Sequence, residues 1–407
     1  MKGVQLLAAL AVLLATGGCG SRLAPDTLYI SIETDINSES LTELWEKSRI
    51  SRPLVNQFRA LNPGVDVHVR HLPMGEVMAD TRFRDSRGLG PDLIVSDVIT
   101  ALQLQQDGLI STVALKDLSL SRSQPPRFVN NFRKGSQVFA VPVLAQPQVA
   151  CYDRRRLAEP PGTVKELLAL SAKGLRVGLP LRVSELFWTT TPQGAGDAVL
   201  QLLNQSPAGK AATLSTTERR ALKRWITWVY DSSLQKNVSF SDDPLDLVRQ
   251  LQQGERDWIS CSSLWIDALR QKLGENLGVS VLPGGPDAPA EPISRLLVWS
   301  FGRHSSGRQR QAAERFVAFS LNQVNQKQLM HTAPGNLPVN PDVLIPTRSS
   351  ALLRTLTFSL DHSLMLDFRD PDAAMARGSQ LESMLKNVVQ GEVLPPEALA
   401  RLLAPAP

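Results

Sequence analysis

The side chains able to do chemistry in this 407-residue chain suit holding a ligand better than transforming one. Acyl transfer on an α/β scaffold would want a nucleophile elbow, G-x-S-x-G, and the sequence has none. The five histidines are scattered, form no HExxH and give no ligand pair on a helix, so no metal site is expected. Glycoside hydrolysis needs two opposed carboxylates. Glu33 and Asp97 could form such a pair, but no motif supports it. No enzyme is therefore expected, and no cofactor. What the chain does contain is a recognition set. Seven tryptophans stand against three tyrosines. Acids, amides and hydroxyls lie just after apolar runs: Glu33 and Asp35, Ser96 and Asp97, Gln146, and the pair Ser262 and Ser263. An indole face covers the C–H surface of a sugar or polyol while polar neighbours bind its hydroxyls. Asp, Ser and Asn are also ordinary turn and cap residues, so their placement has to decide.

The elements that would position these groups alternate. Leu28 to Ile32 reads as a buried strand, and Leu54, Val55, Phe58 and Leu61 form a helical stripe. Asn62-Pro63-Gly64 ends that helix, and Val65 to Val69 alternates as a second strand. Leu93 to Val95 is a third strand, followed by a helix over Ala101 to Gln106. Val138 to Val143, Gln148 to Tyr152, Arg176 to Leu179, Val279 to Leu282 and Leu296 to Phe301 read as extended. Helices are expected over Val164 to Leu170, Ala312 to Leu329, Met375 to Val389 and Glu397 to Leu403. Ser215 and Glu218 make a capping-box pattern before the stripe Leu222, Trp225, Ile226 and Val229. Strands alternating with helices predict an α/β fold with parallel sheet.

Length suits two domains. A net charge of +5 is small for this length and gives no reason to expect nucleic acid. Short runs such as Arg154 to Arg156 read as solvated surface. Residues 1–19 differ from the rest: Lys2, an apolar run from Val4 to Ala15, then Thr16, Gly17, Gly18 and Cys19. This is a secretory signal pattern, too short to span a bilayer. Its end resembles a bacterial lipoprotein cleavage box, with Thr16 departing from the usual leucine, so Cys19 is the expected lipidation site. Cys151 and Cys261 remain. The apolar setting of Cys151 favours a buried free thiol, although an exported protein would also permit a bridge.

Several segments, in order across roughly Leu28 to Leu403, resemble the extracellular solute-binding proteins of family 1, which include maltose-binding protein. FRALNPGVDV (Phe58 to Val67) resembles the family's helix, turn and strand, and Gly90-Pro91-Asp92-Leu93-Ile94-Val95 its G-P-D strand. FAVPVLAQPQVACYD (Phe139 to Asp153) resembles its first crossover. GERDWISCSSLW (Gly254 to Trp265), GVSVLPGG (Gly278 to Gly285) and Asn336 to Val343 resemble later elements.

The resemblance implies a two-lobed periplasmic binding protein fold with an interlobe ligand cleft and multiple hinge crossovers. The first lobe would comprise 26–142 with 283–345, and the second 143–282 with 346–407. It implies a substrate-binding lipoprotein of an ABC importer that captures a small sugar or polyol and delivers it to permease subunits. The protein would be monomeric, in the periplasm or otherwise extracytoplasmic. A polyamine binder, and a sensor or assembly partner, stay open as alternatives. Trp265 falls on the family's stacking tryptophan, though it could equally pack the following helix. Trp188 falls on an aromatic segment that lines the cleft in several members. Glu33, Asp35 and Gln146 occupy cleft-facing stretches, and Gln146 lies near where maltose-binding protein has a glutamate. Ser262 and Ser263 replace a usual Gly-Pro, and Asn336 a common glycine or aromatic. If Cys19 is the anchor, Cys19→Ser expressed in a bacterium moves the protein from the membrane to the soluble extracytoplasmic fraction. A variant that sediments with membranes as firmly as wild type would refute the anchor.

Overall fold

The computed structural model describes residues 26–34, 51–73, 75–114, 126–205, 212–365 and 370–404. Cys19, the signal segment and Asp35 lie outside them.

The first lobe is built on β1 (Asp26–Thr34), β2 (Val65–Pro73), β3 (Leu93–Asp97) and β4 (Ile110–Ser111). A three-stranded sheet of β5 (Val113–Ala114), β6 (Arg133–Lys134) and β7 (Gln137–Val138) flanks it. The chain then runs through β8 (Ala140–Gln146) into β9 (Gln148–Asp153), with only Pro147 between them. The second lobe adds β10 (Val177–Pro180), β11 (Val238–Ser241), β12 (Trp258–Ser262) and β13 (Leu277–Ser280). The chain returns as β14 (Arg295–Gly302) and, later, β15 (Leu337–Pro338).

The first sheet has the order β15-β8-β14-β3-β1-β2, with β4 also on β14. The second has the order β11-β10-β12-β9-β13. Each has a parallel half, β2-β1-β3 and β11-β10-β12. The expectation of parallel sheet holds only there. β14 runs antiparallel to β3 and β8, and β9 antiparallel to β12 and β13. The reason is the traffic between lobes. A strand arriving from the other sheet enters at the shared edge and must run away from it.

Local chemistry places the elements. Ser215 and Glu218 close the expected capping box and start the helix Thr216–Ser233, which buries Leu222, Trp225, Ile226 and Val229. The helix expected over Ala312 to Leu329 is two helices, Gly307–Leu321 and Gln323–Thr332. Asn322 divides them: its backbone is extended and its side chain accepts from the Asn325 N–H, capping the second. Asp92, 2% exposed, joins three elements, accepting from the Tyr29 N–H (2.8 Å) and the Ser305 hydroxyl (2.7 Å). Gly302 is a glycine for want of room, since a Cβ there would lie 1.7 Å from the Pro91 carbonyl oxygen. Gln326, fully buried, donates to Val143 O and accepts from the Val339 N–H, holding β8 to the segment after β15. The last two helices, Pro371–Val389 and Pro395–Leu403, pack on Thr216–Ser233 and finish the second lobe.

Cys151 and Cys261 are bridged, with Cα atoms 6.0 Å apart, which corrects the expectation of free thiols. The register explains it. Cys151 faces Ile259 and Cys261 faces Val149 across β9 and β12, so the two are diagonal neighbours on one face of the sheet. Nothing in the sequence announces that register. The bridge closes a loop with a sequence separation of 110. Loops of this size stabilise by about 5 kcal/mol through the unfolded chain in the chain-entropy model. A Cys151→Ser/Cys261→Ser double variant should be less stable by about 3 kcal/mol, read as a lower urea midpoint at unchanged slope. An unchanged midpoint would show that the bridge adds nothing.

Candidate functional site

The strand registers bring two polar edges together. In the first sheet, β1 and β3 end at Thr34 and Asp97, and β8, running the same way, ends at Gln146. β14 begins at Arg295, directly opposite Gln146, and Asn336 precedes Leu337 beside Ala145. One edge therefore carries Asn336, Gln146, Arg295 and Asp97 in spatial order. In the second sheet, β12 ends at Ser262, opposite Gln148 at the start of β9. Leu181 and Arg182 follow the end of β10 beside them. Both edges meet at Pro147. The ends of strands at a change of direction are where open α/β sheets bind ligands.

Hydrogen bonds fasten the meeting point. The Ser263 N–H donates to Pro147 O (2.9 Å). The Ser263 hydroxyl donates to Gly335 O (2.5 Å), joining the loop after β12 to the segment before β15. Gly335 has φ +102°, and a Cβ there would lie 2.0 Å from Ser263 O, so no side chain fits. Ser359, from the helix Ala351–Asp361, donates to Gln148 O (2.6 Å). The Gln146 amide donates to Asn336 Oδ1 (2.9 Å), and Asn336 in turn donates to Ala333 O (3.2 Å). Away from the crossover the lobes touch again. Gln103 donates to Asp372 Oδ1 (3.1 Å), and Ile99 packs against the second lobe's core.

The expected site residues fall into two groups. Asp97 and Ser262 are half-buried at strand ends, and Trp265, three residues past the end of β12, is half-buried too. Asp97 also caps the helix Val98–Gln106 through the Thr100 N–H (2.8 Å), and Ser262 accepts from the Leu264 N–H (3.4 Å). Trp265 ends a short turn, Ser263–Trp265, with the indole packed against the larger apolar core. Gln146 and Asn336 are buried at the first edge. The rest are framework. Trp188 has no exposure and packs on Trp258, ring centroids 6.2 Å apart, in the second lobe's core. This corrects its assignment to the cleft: the stripe buries it. Ser96 is fully buried and donates to Asp97 O, and Ser263 is fully buried at the crossover.

Glu33 is a support under the rim. It is 2% exposed and accepts from the Gly75 N–H (3.3 Å), the Asp97 N–H (3.2 Å) and the Thr100 hydroxyl (3.2 Å). Burial, then the Asp97 carboxylate, pushes its pKa up to about 7, against the pull of the Asp97 N–H, Arg295 and the Gly75 N–H. Among the described residues no group of three or more His, Cys, Asp or Glu could hold a metal ion. A hollow of about 320 Å³ lies between the stretch 281–292 and Phe358, Ser359 and His362; none of the expected residues lines it, but Ser359, which donates to Gln148 O, does.

Sequence reading missed Arg295 and Gln148. Arg295 looks like any basic residue before an apolar strand, and only the register with Gln146 places it. Gln148 carries a signal, as the second glutamine flanking the crossover proline.

A model of the bacterial extracellular solute-binding proteins matches residues 53–351. No curated protein sequence matches. Solved structures share the fold at low identity. The GacH receptor of Streptomyces glaucescens, studied with acarbose, is 18% identical with a TM-score of 0.72, over 93% of this chain and 98% of its own. The maltose-bound MalE3 of T. maritima is 15% identical, TM-score 0.70, over 92% and 98%. A solute-binding protein of Thermotoga lettingae bound to α-D-tagatose is 16% identical, TM-score 0.69, over 93% and 98%.

The Glu33 environment makes stability depend on pH. Folded Glu33 keeps its proton up to about pH 7, whereas an exposed glutamate releases it near 4.5. The folded state therefore binds the extra proton in that window, and stability falls as pH rises through it, by up to about 3 kcal/mol. The loss is complete above pH 7. Glu33→Gln should flatten the decline in melting temperature between pH 5 and 7.5. A variant as steep as wild type would place the titration elsewhere.

Proposed function

The chain belongs to the bacterial extracellular solute-binding proteins, and from that premise we propose that it captures a small neutral sugar or polyol between its lobes and hands it to an ABC permease. The observation that carries the reading is the meeting of two polar strand edges at Pro147, with the half-buried indole of Trp265 beside them. Three crossings, the first over Pro147 alone, suit hinge closure around a ligand. The relatives bound to maltose and tagatose favour hydroxyl-rich solutes. Anchoring through Cys19, an extracytoplasmic place and a monomeric state complete the proposal. The ligand-contacting set we assign is Trp265, Asp97, Ser262, Gln146 and Asn336.

A polyamine fits less well. It would need several free carboxylates, but Glu33 is buried on backbone donors with its pKa near 7. Arg295 brings positive charge to the same edge. For hydrolysis, Glu33 and Asp97 do lie side by side, but Glu33 is spent on the Gly75 and Asp97 N–H groups and the Thr100 hydroxyl.

A thermal-shift panel of maltose, glucose, tagatose, sorbitol and spermidine should raise the melting temperature with a neutral polyhydroxy compound. Trp265→Ala should weaken that compound by about 1–3 kcal/mol, losing stacking and buried area, while the variant still unfolds cooperatively at a melting temperature only moderately lowered by the lost core contact. A drop in melting temperature with unchanged affinity would make Trp265 a core residue only. A response to spermidine alone would overturn the sugar reading.

A further inference from the structure

Two acceptor atoms at the crossover have no partner among the described residues: Gln146 Oε1 and Gln148 Oε1. Both side chains are more than nine-tenths buried, 2% and 4% exposed. The orientation of each amide is determined by its neighbours. Asn336 donates to Ala333 O, a carbonyl that can only accept. Asn336 therefore presents Oδ1 to Gln146, and Gln146 must offer its NH2 there. Gln148 donates to the carbonyl of Glu185 and to the Ser260 hydroxyl (2.9 Å). A flip of either amide would set oxygen against oxygen, so each NH2 faces its framework acceptor and each Oε1 is left without a donor. A buried acceptor without a donor is costly, and native chains seldom leave one unmet.

The two glutamines stand two apart on an extended chain, so their side chains leave it on the same side. Gln146 is the last residue of β8 in the first sheet, and Gln148 the first of β9 in the second. Each is held by its own lobe, Gln146 by Asn336 and Gln148 by Glu185 and Ser260.

Resting on the sugar-binding reading above, we propose that Gln146 and Gln148 form a two-point acceptor that takes two hydroxyl donors of one ligand, one from each side of Pro147. Gln148 is thereby a ligand-contacting residue of the second lobe. The pair selects ligands with two closely spaced hydroxyls. It gives a carboxylate nothing to bind, because both free atoms are acceptors. A single bound molecule then ties the last residue of one sheet to the first of the other.

The test titrates wild type, Gln146→Met and Gln148→Met by calorimetry with maltose, glucose, tagatose and sorbitol, then with monodeoxy derivatives of whichever binds wild type. Methionine keeps the length of glutamine without its polar atoms. Each variant should weaken the parent compound about tenfold, the value of one hydrogen bond left unmade. One monodeoxy derivative should bind wild type about tenfold more weakly than the parent, yet bind Gln148→Met as tightly as the parent does. A different derivative should behave so with Gln146→Met. A merely structural role would weaken all derivatives by the same factor, and that result overturns the proposal. So does undiminished binding by either variant, with the sugar reading intact. If wild type binds no polyhydroxy compound, both the pairing and the reading beneath it fall.

Discussion

A peptide that crosses between two sheets must leave one ladder and join the next without stranding its own N–H and C=O groups. Here that happens over a single residue, Pro147, which has no N–H to satisfy and whose carbonyl accepts from the Ser263 N–H. Gln146 and Gln148 complete the junction with side-chain bonds into their respective lobes. The other passages are drawn to the same point: Gly335 through the Ser263 hydroxyl, and the helix Ala351–Asp361 through Ser359. The position of the two edges relative to each other follows from this knot.

Around it the polar residues divide by task. Asp92, Gln326 and Glu33 are spent on backbone donors and hold strands and loops at fixed spacing. Asp97 does both, capping a helix while remaining half-buried at the edge. Their burial explains the raised pKa of Asp92 as well as of Glu33: desolvation of the charged form outweighs the hydrogen bonds it receives. The disulfide contributes on the other side, joining the strand of Gln148 to the strand that leads to Trp265.

Much of the fold was legible because its signals are local. The stripe on Thr216–Ser233, the box at Ser215 and the strand at Leu93 need only neighbouring residues to be read. Asn322 escaped because one residue serves as the end of one helix and the cap of the next, without interrupting the apolar pattern. At the site, residue type suggested Trp265 and Gln146, which the structure leaves near the strand ends. It failed for Trp188, whose aromatic surface serves a core as readily as a ligand. Arg295 and the bridge between Cys151 and Cys261 depend on long-range register, which only pairing across distant strands reveals.

The order in which segments contribute to the second lobe has a consequence for how the protein is made. Its sheet begins at Gln148, but its helical cover, Pro371–Val389 and Pro395–Leu403, is the last part of the described chain to be synthesised. The first lobe likewise waits for β14 to fill the gap between β3 and β8. The second lobe cannot complete its core until nearly the whole polypeptide is present, nor the first until β14 has been made, and contacts so distant in sequence form slowly. Slow compaction of this kind would suit a chain that has to leave the cytoplasm before it folds.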